Sequence, residues 1–121
     1  MILVDTSIWI DHLRTGNPKL AALLQNGQVV AHPFVLGELA LGNLARRNEI
    51  LPLLRNLPQV RTATDPEVLV FIENHCLFGR GIGLIDAHLL AATVLTPGTD
   101  LWTRDQRLAA VSLGLGLAGG P

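Results

Sequence analysis

A chain of 121 residues suits a single domain, and at that size a hydrophobic core forms without a disulfide or structural metal. Cys76 is the only cysteine, which excludes an intrachain disulfide; in its apolar stretch a buried, reduced thiol in the cytoplasm is expected. A net charge of −1 excludes a protein that coats nucleic acid by charge alone, Asp5 interrupts the first apolar residues too early for a secretory leader, and no apolar run is long enough to span a membrane.

Ile2-Leu3-Val4 is a short apolar run that reads as a buried parallel strand ending at Asp5. Thr6 or Ser7 is expected to cap a short helix through Leu13. Asn17-Pro18 restarts a helix, which Asn26-Gly27 ends. Val29-Val30-Ala31 reads as a second strand, and Pro33 opens a helix with Val35, Leu36, Leu39 and Leu41 at helical spacing. A helical piece interrupted by Pro52 follows Arg46-Arg47, and Pro58 leads into a third strand near Val60-Arg61-Thr62. Asp65-Pro66 starts the next helix, and the glycines at 79, 81 and 83 make a loop. A helix from Leu84 to Leu95 follows, with Asp86 as its third residue. Pro97-Gly98 turns the chain into a fourth strand at Leu101-Trp102-Thr103, a last helix runs from about Asp105 to Ser112, and the Gly-rich end has room for one short edge strand. Strands alternating with helices predict an α/β fold: one domain over residues 1–121, with a short parallel sheet of four to five strands flanked by helices on both faces.

Composition adds two expectations. Charged residues are only 16% against an average of about 25%. Apolar surface is therefore expected to stay exposed on the monomer, to be covered by a second copy or another protein. Of the nine basic residues only Lys19 is lysine, a bias that suits bidentate phosphate contact and base stacking by Arg, and that a GC-rich genome also produces.

Four acids stand at informative places. Asp5 follows the first strand, and Asp105 lies two residues beyond Thr103, where ligands of an open parallel sheet collect. Glu38 and Asp86 sit in the early turns of apolar helices, with no Lys or Arg within one helical turn of either, and an ionised carboxylate in such a face needs a partner or a metal. Each acid alone also has an ordinary explanation. Asp5 and Asp105 suit helix caps, Glu38 a solvent-facing helix edge, and Asp86 a charge complementing the helix dipole.

Four segments carry a resemblance: Val4-Asp5-Thr6-Ser7-Ile8-Trp9-Ile10-Asp11, Gly37-Glu38-Leu39, Gly83-Leu84-Ile85-Asp86-Ala87 and Leu101-Trp102-Thr103-Arg104-Asp105. In this order and spacing they resemble the PIN domain, and more narrowly the VapC-type toxins of bacterial toxin–antitoxin pairs, over nearly the whole chain. The resemblance implies a metal-dependent endoribonuclease in which Asp5, Glu38, Asp86 and Asp105 are the four acids and Thr6 and Thr103 are supporting hydroxyls. It implies a cytoplasmic toxin with RNA as substrate, a small VapB-type antitoxin as partner, and a homodimer.

Phosphodiester hydrolysis needs an activated water and a clamp for charge on the phosphate, and Mg²⁺ or Mn²⁺ on hard oxygen ligands supplies both. Asp5 and Asp86 are the expected direct ligands, Asp105 binds directly or through water, and Glu38 ligates or positions the water. Carboxylates gathered without metal repel one another, so Asp5→Asn and Asp86→Asn are both expected to leave metal-free stability equal or higher. Arg104 and Arg107 flank Asp105 and Arg80 precedes the Asp86 helix, making them RNA-contact candidates beside ordinary solvated roles, with Arg14, Arg46 and Arg47 as further candidates. His12, His32, His75 and His88 show no metal-ligand spacing and read as surface or core, Asp11 as surface, and Trp9 and Trp102 as core or interface.

Competing readings fail on particular residues. A phosphoacceptor receiver domain needs a second acid beside Asp5 and a late lysine, but Thr6-Ser7 follow and Lys19 is early; a phosphatase with Asp5 as nucleophile expects an Asp where Ser7 stands. A non-catalytic PIN-like module that binds RNA or protein remains the alternative.

Overall fold

The computed structural model describes all 121 residues, Met1–Pro121. Three parallel strands, β1 (Ile2–Val4), β2 (Val29–Val30) and β3 (Asp100–Trp102), form a sheet in the order β2-β1-β3. Leu3 pairs with Val30 on one side and with Leu101 on the other. Leu3 and Val4 are both completely buried. Successive residues of a strand face opposite sides, so both faces of the sheet are covered, as a parallel sheet requires. Seven helices surround it: α1 (Thr6–Thr15), α2 (Pro18–Gln25), α3 (Pro33–Leu41), α4 (Arg47–Arg55), α5 (Asp65–Asn74), α6 (Leu84–Leu95) and α7 (Gln106–Gly114).

The sheet is smaller than the expected four to five strands. The two missing strands are each reduced to one parallel bridge, Ala31 with Gln59 and Leu101 with Ala118. At the first, Ala31 N–H donates to Pro58 O and Val60 N–H to Ala31 O, and the ladder then stops because the next residue in phase, Pro33, has no N–H and opens α3. At the second, Leu101 N–H donates to Leu117 O and Gly119 N–H to Leu101 O. Gly120, at φ +93°, then leaves the extended conformation, and Pro121 has no N–H to give.

Most helix starts follow from local chemistry. Asn17 Oδ1 accepts from Lys19 N–H and Leu20 N–H, both at 3.1 Å, with Pro18 at the first helical position. Thr64 and Glu67 close a reciprocal capping box at α5, which starts at Asp65 as expected. At α1 the cap is Asp5 rather than Thr6 or Ser7. Cys76 also departs from expectation. It is exposed and adopts φ +52° just past α5, while its neighbour Leu77 takes the buried position.

The helices that bear the acids are anchored by apolar side chains. Ile8 of α1, Leu39 of α3, Leu90 of α6 and Leu108 of α7 are all at most 2% exposed, each burial stabilising by about 1.5–3 kcal/mol. α1, α3 and α7 start just past the carboxyl ends of β1, β2 and β3. α6 packs on β3 after a short connection, which runs the helix antiparallel to the strand and brings its N-terminus to the same edge. Large apolar side chains are left in solvent, among them Leu41, Leu53, Leu69, Val70, Phe78 and Leu113. No helix is long and apolar enough to cross a membrane.

Candidate active site

Asp5 lies just past the end of β1, 8% exposed and with both carboxylate oxygens engaged. Oδ1 accepts from Thr6 N–H at 2.8 Å and Oδ2 from Thr103 Oγ1–H at 2.7 Å. Thr103 Oγ1 in turn accepts from Asp105 N–H at 3.1 Å. On the other side Thr6 Oγ1–H donates to Glu38 Oε1 at 2.8 Å. A continuous network thus runs from Glu38 through Thr6, Asp5 and Thr103 to Asp105, and the two threonines singled out in the sequence are its joints.

Three of the four acids also cap helices. Asp5 caps α1, Asp105 Oδ1 accepts from Arg107 N–H and Leu108 N–H at the start of α7, and Asp86 Oδ2 accepts from Gly83 N–H at 3.0 Å at the start of α6. Capping and charge clustering are therefore properties of the same atoms. Asp86 Oδ1, Asp105 Oδ2 and Glu38 Oε2 receive no hydrogen bond from the protein.

None of the four carboxylates has a cationic partner. The ion pairs of the chain are Arg46 with Glu49, His88 with Asp65, and Arg104 with Asp11. The positive ends of three helices take the place of such partners. Repulsion remains: burial holds the Asp86 carboxyl above the usual carboxylate range, the Gly83 N–H opposes this, and the charges of Asp5 and Asp105 add to the rise. Asp5, Asp86 and Asp105 thus share one field, while Glu38 joins them through Thr6. The donor set is all oxygen, which suits a hard divalent ion. No three acidic, histidine or cysteine side chains converge closely enough to enclose an ion by themselves.

No family model matches the chain. It is 47% identical over 118 residues to ribonuclease VapC32 of Mycobacterium tuberculosis strain H37Rv, a match covering 98% of this chain and 95% of that protein, and equally to ribonuclease VapC32 of strain CDC 1551. The chain belongs to the VapC ribonuclease family.

In this VapC-family chain the arginines named from the sequence divide. The Arg104 side chain is engaged by the carboxylate of Asp11, and its backbone N–H donates to Ser7 Oγ. Arg107 lies across Gly81, where an added Cβ would sit 2.7 Å from the arginine Cδ, so the glycine lets this side chain approach the loop before Asp86. Neither Arg107 nor Arg80 forms an ion pair. Asp11, expected at the surface, is partly covered by its bond to Arg104. Trp9 is core, and Trp102 is partly buried against the core cluster.

Sequence reasoning missed a histidine pair. His32 and His88 are 1% and 4% exposed. His32 caps α3 by accepting from Phe34 N–H at Nδ1, which leaves its proton on Nε2, buried and without a hydrogen-bond partner. Burial, and next the neighbouring His88, lower its pKa to about 4. A polar side chain directly before Pro33 was the one available signal, since His at that position reads as a cap only once the helix start is fixed.

Proposed function

We propose that this chain is an endoribonuclease, the toxin of a VapB–VapC pair, which hydrolyses RNA phosphodiester bonds at Asp5, Glu38, Asp86 and Asp105 with Mg²⁺ or Mn²⁺ as cofactor. The observation that carries the reading is the shared, cation-free field of Asp5, Asp86 and Asp105, in a chain closely similar to ribonuclease VapC32. Asp5, Asp86 and Asp105 are the residues that would hold the ion. Mg²⁺ keeps several of its waters and is commonly bound by one or two carboxylates, so the set need not enclose it. When bound, such an ion supplies positive charge to the phosphate and makes a water more acidic.

The chain's own groups divide the remaining work. Thr103 and Thr6 N–H fix the Asp5 carboxylate from both oxygens. Thr6 holds Glu38 by Oε1, leaving exposed Oε2 to take a proton from the attacking water. Arg107 and Arg80, which have no carboxylate partner, are the candidates to meet RNA phosphates, and Arg104 joins them when released from Asp11. Arg107→Ala is expected to weaken RNA binding and to lower the salt dependence by about one charge, read from affinities across a salt series. An unchanged slope would remove Arg107 from the interface.

The exposed apolar side chains suit the two expected partners, a VapB-type antitoxin and a second copy of this chain, and the RNA substrate places the activity in the cytoplasm. A second reading, the non-catalytic PIN-like module, draws on the capping roles of three acids and their incomplete convergence. Partner-free protein incubated with a mixed RNA pool in EDTA, Mg²⁺ or Mn²⁺ separates the two. Discrete cleavage that requires the metal is expected; folded protein that neither cuts RNA nor binds metal would leave the binding module.

A further inference from the structure

Beside the carboxylates lies a second series of side chains that the proposed chemistry does not use. The Phe34 ring packs on His32, centroids 5.1 Å apart, and on His88, centroids 4.8 Å apart with the planes at 61°. His88 Nε2 in turn lies 3.3 Å from Asp65 Oδ1. Three helices are joined in this way: α3, which carries Glu38, α6, which carries Asp86, and the first turn of α5.

The topology gives this join a task. α3 follows β2 and α6 leads into β3, and those strands lie on opposite sides of β1, so strand pairing does not directly set the distance between the two helices. Both imidazoles are fixed by burial, whereas Phe34 is 40% exposed at the rim. It precedes Glu38 by one helical turn, so any shift of the first turn of α3 moves the Glu38 carboxylate with it.

We infer that Phe34, packed against both His32 and His88, is a positioning residue that sets Glu38 relative to Asp86. The inference rests on the ribonuclease reading above and deepens it. Its test compares full-length wild type with Phe34→Ala, Phe34→Leu and Phe34→Tyr. The measurements are melting temperature, Mn²⁺ affinity by paramagnetic resonance, and steady-state cleavage of a mixed-sequence, single-stranded RNA oligonucleotide.

Phe34→Ala and Phe34→Leu are expected to stay folded, to lose kcat about tenfold with KM unchanged, and, because Phe34 also packs on His88 of α6, the helix that carries ion-holding Asp86, to bind Mn²⁺ several-fold more weakly, in the range that supporting contacts contribute at metal sites. Phe34→Tyr, which keeps the ring, is expected to restore both within about twofold. Wild-type kcat and Mn²⁺ affinity in the Leu variant would overturn the inference. So would a raised KM at unchanged kcat, which would make Phe34 a surface on which RNA bases stack. Wild type that cuts no RNA would instead refute the ribonuclease reading, and equal Mn²⁺ affinity in wild type and Phe34→Leu would then refute the positioning role separately.

Discussion

Asp86→Asn is expected to abolish RNA cleavage while melting at the wild-type temperature or above, whereas Asp5→Asn loses both cleavage and stability. Activity should drop by at least the roughly 10–100-fold that loss of a supporting hydrogen bond costs at metal sites. The stabilities diverge because the two carboxylates are held differently. Asp86 is raised by burial and by the charges of Asp5 and Asp105. Its folded pKa lies above the unfolded one, so its ionised form penalises the fold at neutral pH, and the penalty fades as pH falls through the folded pKa. An asparagine removes the charge and still offers Gly83 N–H an acceptor. Asp5 instead receives a donor on each oxygen while buried. An amide has one acceptor, so a charge-assisted bond is lost, at about 1.5–3 kcal/mol or roughly 5–10 °C of melting temperature. The sequence alone suggested that neither variant loses stability; the two-sided grip on Asp5 separates them. Thermal melts in EDTA decide the matter, and an equal loss in both variants would reduce Asp86 to a cap.

The second large effect is acid lability centred on His32. Its folded pKa, near 4, lies below the unfolded value of 6.5. The unfolded chain therefore binds the extra proton first as pH falls. The contribution is whole above pH 6.5 and is lost progressively toward pH 4, amounting to about 3 kcal/mol. Protonation also places a hydrogen on Nδ1, where Phe34 N–H is received, so the cap of α3 is lost in the same step. The groups facing His32 are the His88 ring, whose charge opposes protonation, and beyond it Asp65. Buried and capping carboxylates add their own acid dependence, so the informative quantity is a difference. Denaturant midpoints between pH 7 and 4 should fall more steeply in wild type than in His32→Asn, which keeps an acceptor for the cap and does not titrate. Parallel curves would mean that His32 takes up its proton without cost.

What the sequence disclosed and what it hid have physical causes. Asp5 and Asp105 stood out because a strand end followed by an acid is a local pattern, and Asp86 because an acid in an apolar helix had no cation within one turn. The network joining them did not. Thr103 reaches Asp5 across 98 residues and Thr6 reaches Glu38 across 32, contacts that only the sheet order creates. Val60-Arg61-Thr62 has the residues of a strand, but the residue it would pair with next, Pro33, has no N–H and begins α3, a limit set by a segment distant in sequence that no propensity records. Cys76 was expected inside because its neighbours are apolar, yet only one residue of that stretch can face the core, and the turn after α5 gives the place to Leu77. The pairing of His32 with His88 is invisible for the same reason as the threonine contacts.

The single-residue bridges at the two sides of the sheet leave neither outer strand bare. Bare strand edges recruit further strands. Here β2 is screened by the segment at Gln59, and β3 by residues 117–119. The second screen depends on close fit: side chains at 119 and 120 would collide with Asp100 and Trp102, so only glycines let this segment lie against β3. Strand-to-strand polymerisation is thereby blocked at both sides, and the sticky surface that remains lies on helices. What the covered edges remove is growth by adding strand to strand, so contacts of this chain with other chains fall to its helical faces.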